Sequence, residues 1–144
     1  MKKILSVLLM ISMCGLVGCG KEMVAVKPDI VCNVSKIMDD ISTLEDEDCN
    51  KIYGGKVICA DGEIVNKGTD ADDATVVTMS FLRGKQHNWA IRAYVKDEHD
   101  KDKLKKMNKG DAVTIQGGVA QSGLTIPRNG DRVVELLDAR IVAK

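Results

Sequence analysis

The sequence predicts a mostly β domain in which an amphipathic α-helix precedes five strands and a short helix separates strands three and four. Three observations lead to this prediction. Apolar residues recur at helical spacing between positions 30 and 44, the period changes to two after Tyr53, and glycines interrupt the alternating segments. With 144 residues, 21 basic and 21 acidic side chains and 44% hydrophobic residues, the chain has the composition of one small folded domain.

The first segment, residues 1–18, is predicted to be a signal peptide. Lys2 and Lys3 precede an uncharged run over residues 4–13 that is too short to span a bilayer. The following Leu16-Val17-Gly18-Cys19 resembles the lipobox of bacterial lipoproteins. This resemblance implies cleavage before Cys19, a diacylglyceryl group on its thiol and an acylated new amino terminus. Two or three acyl chains on one residue are enough to hold a protein stably on a membrane. An uncleaved signal anchor is the alternative.

The predicted mature chain consists of a tether over residues 19–28 and a domain over residues 29–144. Gly20 resembles residues that permit export to the outer membrane in hosts that have two membranes. Loss of Lys2 and Lys3 makes the mature chain slightly acidic, and aromatic residues make up 3% of the sequence. We therefore expect an extracytoplasmic, lipid-anchored protein with little general attraction to nucleic acid.

The mature chain keeps three cysteines besides the anchor, at Cys32, Cys49 and Cys59. At most one intramolecular disulfide can form among them, and their spacing matches no zinc or redox motif. Buried thiols that pack as small apolar groups are the alternative to a disulfide.

The amphipathic helix is predicted to begin at Pro28-Asp29, with Asp29 as the N-cap. Its apolar stripe comprises Ile30, Val34, Ile37, Ile41 and Leu44. We expect the stripe to dock on the domain itself, with a partner protein as the alternative. The acidic run over residues 45–48 that follows is interpreted as a solvated edge.

Alternating segments and glycines predict the five strands that follow. Residues 56–65 form one long strand bent at Gly62, and residues 74–82 place Val77, Met79 and Phe81 on the inner face. Residues 89–96 place Trp89 inward, whereas Arg92, Tyr94 and Lys96 face outward. A short charged helix lies within residues 97–108 and ends before Gly110, and the last strands cover residues 112–117 and 133–142.

Several short phrases resemble the signature stretches of the tRNA_anti-like OB-fold family. They are Tyr53-Gly54-Gly55-Lys56-Val57, Gly62-Glu63-Ile64, Gly110-Asp111-Ala112-Val113-Thr114-Ile115-Gln116-Gly117 and Leu137-Asp138-Ala139-Arg140-Ile141-Val142. The resemblance implies a five-stranded Greek-key barrel, in a family whose members are commonly bacterial lipoproteins or secreted proteins. Some relatives have cysteines in the third and last strands, where this chain has Ala93 and Ala139.

The candidate ligand-binding residues lie on the outer face of the third strand and in the loop before it. They are Arg83, Lys85, His87, Arg92, Tyr94 and Lys96. Together they are suited to bind an anionic ligand such as a glycan or a phosphate. The alternative is that Tyr94 only covers an end of the barrel and that the cations are solvated and bind no ligand. Binding of single-stranded nucleic acid or of an oligosaccharide is the second hypothesis, and nucleic acid is disfavoured because Phe81 and Trp89 are assigned to the core.

The sequence contains no catalytic motif. Its two histidines, His87 and His99, have no spacing to a serine or cysteine that indicates a nucleophile and base, and no phosphate-binding glycine loop is present. We expect no catalytic residue, metal or cofactor. The predicted function is a non-enzymatic binding or interaction module of the bacterial cell envelope, whose partners are the membrane through Cys19 and either an envelope protein or an anionic ligand.

Overall fold

The structure, a computed structural model, describes residues 26–142 as one seven-stranded sheet and three helices. The predicted signal peptide, Cys19 and the tether up to Ala25 lie outside the described residues. The elements are β1 (Ile30–Asn33), α1 (Val34–Thr43), α2 (Asp46–Tyr53), β2 (Val57–Glu63), β3 (Asn66–Thr69), β4 (Thr75–Arg83), β5 (Asn88–Val95), α3 (Glu98–Lys105), β6 (Ala112–Gly118) and β7 (Arg132–Ile141).

The sheet closes into a barrel. Its strand order is β1-β2-β6-β7-β5-β4-β3, with parallel pairing in β1–β2 and β5–β7 and antiparallel pairing elsewhere. Only Ile64 and Val65 connect β2 to β3. The Ile64 amide donates to the Asp111 carbonyl before β6 (3.0 Å), and the Val65 amide donates to the Thr78 carbonyl on β4 (2.8 Å). Because adjacent residues bond to strands far apart in the order, the sheet curls until β4 and β3 lie beside the end of β2.

The number of strands differs from the predicted five. β1 is an additional strand, and the predicted first strand is divided at Ile64 and Val65 instead of bending at Gly62. Gly62 lies within β2, where a Cβ atom would stand 2.9 Å from Cγ2 of Val34. This glycine is therefore needed for the close approach of α1 to the strand, and not for a bend.

The predicted helix start at Asp29 is wrong. Residues 30–33 form β1, which pairs in parallel with residues 58–61 of β2, and β-branched Ile30 and Val31 suit a strand. The helix α1 begins at Val34, and the Asn33 side chain caps it by accepting from the Ser35 amide at 2.9 Å. Asp29 instead accepts from the Val57 amide at 2.8 Å.

The apolar stripe of α1 packs into one end of the barrel, which confirms that it docks on its own domain. Its buried members are Val34, Ile37, Met38 and Ile41. The acidic run over residues 45–48 is mostly exposed, as predicted for a solvated edge. It forms the N-cap and first turn of α2, where carboxylates complement the helix dipole. Tyr53 at the end of α2 is buried, and its hydroxyl donates to Asp40 at 2.5 Å.

The predicted short helix is present as α3, but it lies between the fifth and sixth strands, β5 and β6, and not between the third and fourth, because β1 and β3 are additional strands. It packs against the core of the barrel through Leu104. Leu104 is fully buried there. The Lys67 ammonium on β3 donates to the Leu104 carbonyl at 2.7 Å and to the Met107 carbonyl at 2.5 Å. Asp100 on α3 is almost fully buried and accepts from Nε of Arg140 at 2.6 Å. These contacts fix the helix to β3 and β7.

The three cysteines of the described chain are free thiols. Cys49 is buried, whereas Cys32 and Cys59 are half-buried. Burial raises the pKa of each of the three thiols. Of the alternatives that the sequence left open, the structure therefore has thiols packed against the fold and no disulfide within residues 26–142.

Candidate binding surface

A β-bulge in β4 turns Phe81 to the outside of the barrel. Thr78 lies opposite Arg92, but the next pair joins Ser80 to Ile91, so that Met79 is the extra residue. Beyond the bulge Phe81 lies opposite Ala90, and the Phe81 side chain is 43% exposed. The prediction that Phe81 faces inward is wrong because one extra residue reverses the sides of all the residues after it.

Two arginines flank Phe81 on this outer face. Arg83 lies two residues further along β4, and Arg92 is the diagonal neighbour of Phe81 on β5. Within the described residues, the ion pairs made by arginine are those of Arg132 and Arg140. Arg83 and Arg92 make none of these ion pairs, and Arg92 lies directly opposite Glu135 on β7. We call Arg83, Phe81 and Arg92 the arginine–phenylalanine surface.

The Tyr94 end of the same face is acidic. Burial together with the nearby Glu135 carboxylate raises the pKa of Tyr94 to about 12. Tyr94 and Lys96 also line a cavity of about 330 Å³ whose other charged members are Asp70, Asp72 and Asp138. The cation of Lys96 thus stands among three carboxylates. Carboxylates also lie near Phe81 and Arg92, because Phe81 lines a cavity with Asp61 and Glu63, and Arg92 lies opposite Glu135 on β7.

His87 makes internal contacts at the edge of the surface. Its ring meets Trp89 edge-on, with a centroid separation of 4.6 Å and an interplanar angle of 71°. Its Nε2 atom contacts a terminal nitrogen of Arg132. Nε of Arg132 lies 2.6 Å from Oδ1 of Asp46, and because this N–H does not point at the carboxylate the contact is an ion pair and not a hydrogen bond. Lys85 is exposed in the loop beside His87.

The structure thus divides the predicted set. Arg83 and Arg92 lie near the exposed Phe81 ring, whereas Tyr94 and Lys96 line the acidic cavity. Lys85 is exposed to solvent, and His87 packs against the barrel. The ligand-binding role of the six residues stays a prediction. The sequence did not reveal that Phe81 is exposed. Apolar residues alternate evenly from Val77 through Met79 to Phe81, and no residue type marks the bulge.

No group of three or more metal-ligating side chains occurs within residues 26–142. In that same range no helix has both the length and the apolar character needed to cross a bilayer.

No protein-family model matches the chain, and a search of curated proteins finds no match. Among solved structures, the chain is similar to a lipoprotein from Klebsiella pneumoniae that is provisionally described as nucleic acid-binding. The TM-score is 0.52 and the sequence identity 18%, over 78% of this chain and 91% of that chain. The two proteins share a fold. This likeness, together with the closed barrel, supports the predicted OB-fold.

The chain is also similar to asparaginyl-tRNA synthetase from Entamoeba histolytica in complex with asparaginyl-adenylate. That similarity has a TM-score of 0.41 and 16% identity, and it covers 82% of this chain and 24% of the synthetase. The chain therefore spans about a quarter of that enzyme.

Proposed function

We propose that the chain is a lipid-anchored, non-enzymatic OB-fold module of the bacterial cell envelope that binds an anionic ligand on the outer face of β4 and β5. One observation carries the proposal: Phe81 is 43% exposed between two arginines that make no ion pair within the described residues. The corresponding face of OB-folds binds oligonucleotides and oligosaccharides.

The chemistry of the arginine–phenylalanine surface favours a ligand that combines a ring with a negative charge. The Phe81 ring offers an apolar face for stacking on a sugar or a base. The planar guanidinium groups of Arg83 and Arg92 bind carboxylate or phosphate oxygens in pairs. The acidic cavity beside Tyr94 repels anions, so the charged group of the ligand lies toward Arg83 and its neutral part toward Tyr94.

Acidic oligosaccharides and single-stranded nucleic acid both satisfy this description. Nucleic acid gains support from the exposure of Phe81, because aromatic stacking contributes about 1–3 kcal/mol per base. The description of the Klebsiella lipoprotein agrees with this second candidate. The carboxylates at the Tyr94 end favour the oligosaccharide, since an extended polyanion would have to pass them.

The proposed anchor at Cys19 would limit how far the barrel stands from the membrane. The described chain begins at Val26, whose carbonyl accepts from Nε2 of Gln116 on β6 at 2.7 Å. The eight residues from Cys19 to Val26, which are separated by seven Cα–Cα steps, reach at most about 25 Å when extended. The anchor would therefore keep β6 within about 25 Å of the lipid. β4 and β5 are not neighbours of β6 in the sheet.

Mass spectrometry of the protein isolated from bacterial membranes tests the anchor. We expect cleavage before Cys19 and a lipid mass on that residue, lost in Cys19→Ser and retained in the matched Cys14→Ser variant. An intact amino terminus, or a lipid that survives Cys19→Ser, would rule the anchor out.

Binding is tested by titrating the full chain in detergent micelles with an acidic oligosaccharide, a single-stranded oligothymidylate and inorganic phosphate, at low and high salt. We expect saturable, salt-sensitive binding of one of them. The double variant Arg83→Glu/Arg92→Glu should weaken it at least about tenfold, which corresponds to about 1.4 kcal/mol. The control Lys103→Glu/Lys109→Glu reverses two exposed lysines elsewhere and should leave affinity unchanged. Equal affinity of both double variants would exclude the proposed surface.

A further inference from the structure

A cavity of about 460 Å³ lies directly beside the arginine–phenylalanine surface, and Phe81 belongs to both. We call it the Phe81 cavity; the end of β2, the junction of β1 and α1 and the bulged part of β4 line it. The space opens where β4 loses a strand partner, because β3 pairs with β4 as far as Thr78 and no strand of residues 26–142 continues along that edge. Its volume falls in the range of small-ligand sites, about 300–1,000 Å³.

The charged side chains that line the Phe81 cavity are both carboxylates. They belong to Asp61 and Glu63 on β2, and no lysine or arginine of the described chain lines the cavity. The Thr114 hydroxyl donates to Asp61. Glu63 is exposed, and the ion pairs within the described residues do not include it. The Glu63 carboxylate is therefore available to a cation that enters the cavity.

The Phe81 ring adds a second attraction for a cation, because a cation over the face of an aromatic ring is attracted by its π electrons. The same ring joins the cavity to the two arginines. β5, which carries Arg92, borders one edge of β4, and the cavity lies at the other edge. Arg83 follows Phe81 along β4 itself. A ligand that lies across Phe81 thus meets guanidinium groups at one end and carboxylates at the other.

We propose that the ligand of this surface is dipolar: besides its acidic group it carries a protonated amine, which binds in the Phe81 cavity beside Glu63. This inference rests on the proposed function and narrows it. Of the two candidate ligands, an acidic oligosaccharide with amino-sugar units has both charges and a ring between them. The backbone of single-stranded nucleic acid carries negative charges alone, and Asp61 and Glu63 repel them.

Two forms of one oligosaccharide test the proposal. The probe alternates glucuronate with N-acetylglucosamine, and its de-N-acetylated form has a free amine in place of each acetamide. Both are titrated into the full chain in detergent micelles at slightly acid pH, where the amines are protonated. The de-N-acetylated form should bind about three- to tenfold more tightly, the scale of one exposed charge pair together with a cation–π contact. Attraction to the arginines alone would give the reverse order, since the amines lower the negative charge of the probe.

Two single-charge variants locate the amine. Glu63→Gln removes the exposed carboxylate while keeping the length of the side chain, and it should lose most of the preference for the de-N-acetylated form. The matched control Asp72→Asn removes a carboxylate from the acidic cavity beside Tyr94 and should keep the preference. Equal or weaker binding of the de-N-acetylated form by the wild type, or an undiminished preference in Glu63→Gln, would overturn the inference while the proposed surface stands. Failure of both forms to bind would also overturn it, and the oligothymidylate titration then decides whether the proposed surface stands.

Amide chemical shifts of the wild-type chain give a second test that depends on no variant. The de-N-acetylated form should shift the amides of Gly62 and Glu63 at the end of β2, and the N-acetylated form should leave them in place. Shifts at Asp70 and Asp72 instead would place the amine in the acidic cavity beside Tyr94 and contradict the inference.

Discussion

Removal of the Asp100 carboxylate should destabilise the domain strongly. Asp100 is 2% exposed, and its Oδ2 accepts from Nε of Arg140 at 2.6 Å and from the Ile141 amide at 3.0 Å. In Asp100→Ala the charged hydrogen bond, about 1.5–3 kcal/mol, is lost, and an unsatisfied buried amide costs about 1–3 kcal/mol. The Asp97 carboxylate stays 3.4 Å from Arg140 and limits the loss. We therefore expect a decrease of about 3–5 kcal/mol, the range known for broken buried ion pairs.

Urea unfolding followed by Trp89 fluorescence measures this decrease. With a urea dependence of about 2 kcal/mol/M, the midpoint should fall by about 2 M. Asp102→Ala is the matched control on the same helix, because its ion pair with Lys105 spans 3.7 Å between exposed side chains, and such pairs contribute about 1 kcal/mol at most. A change below about 1 kcal/mol in Asp100→Ala would refute the reasoning that Asp100 joins α3 to β7.

Three further results are expected. Gly62→Ala brings a Cβ atom within 2.9 Å of the stiff Val34 side chain and should destabilise by about 1–3 kcal/mol in urea unfolding, whereas Gly68→Ala, with open space around it, should change little. Burial opposes ionisation of Asp40, but hydrogen bonds from Lys36 and Tyr53 outweigh it and lower the pKa of Asp40. Ionised Asp40 therefore stabilises the fold at pH values above about 4, the pKa of this carboxyl in the unfolded chain, and this stabilisation is lost as the pH falls below that value. Because Asp40→Asn removes the ionisable group, the difference in unfolding free energy between pH 7 and pH 2 should be smaller in this variant. In a Tyr53→Phe background, absorbance titration should show Tyr94 ionising with a pKa of about 12, and Glu135→Gln should lower that value.

Local patterns were enough to predict much of the fold. The helical spacing of Val34, Ile37 and Ile41 predicted a stripe that the structure buries. Gly110 has a φ of +89°, in the left-handed region that glycine tolerates, and the sequence placed it just after the short charged helix. These features depend on residues close together in the chain, and periodicity reports such features directly.

Features that depend on distant residues were not predictable. Ile30–Asn33 form a strand because Ile58–Asp61 pair with them across 28 residues, against a helical pattern that includes Ile30. The bulge at Met79 follows from the register with β5, and it decides that Phe81 faces solvent. His87 was interpreted as part of the ligand site from the loop alone, whereas its contact partner Arg132 lies 45 residues further along the chain.

The central claim is that Phe81, Arg83 and Arg92 form the binding surface, and amide chemical-shift mapping of the isotope-labelled chain in micelles tests it most directly. With the acidic oligosaccharide or the oligothymidylate added stepwise, we predict saturable shifts that are largest along residues 81–83 and 90–92 and weak on α3. Shifts centred on another part of the barrel, or none at these residues with either probe, would contradict the account.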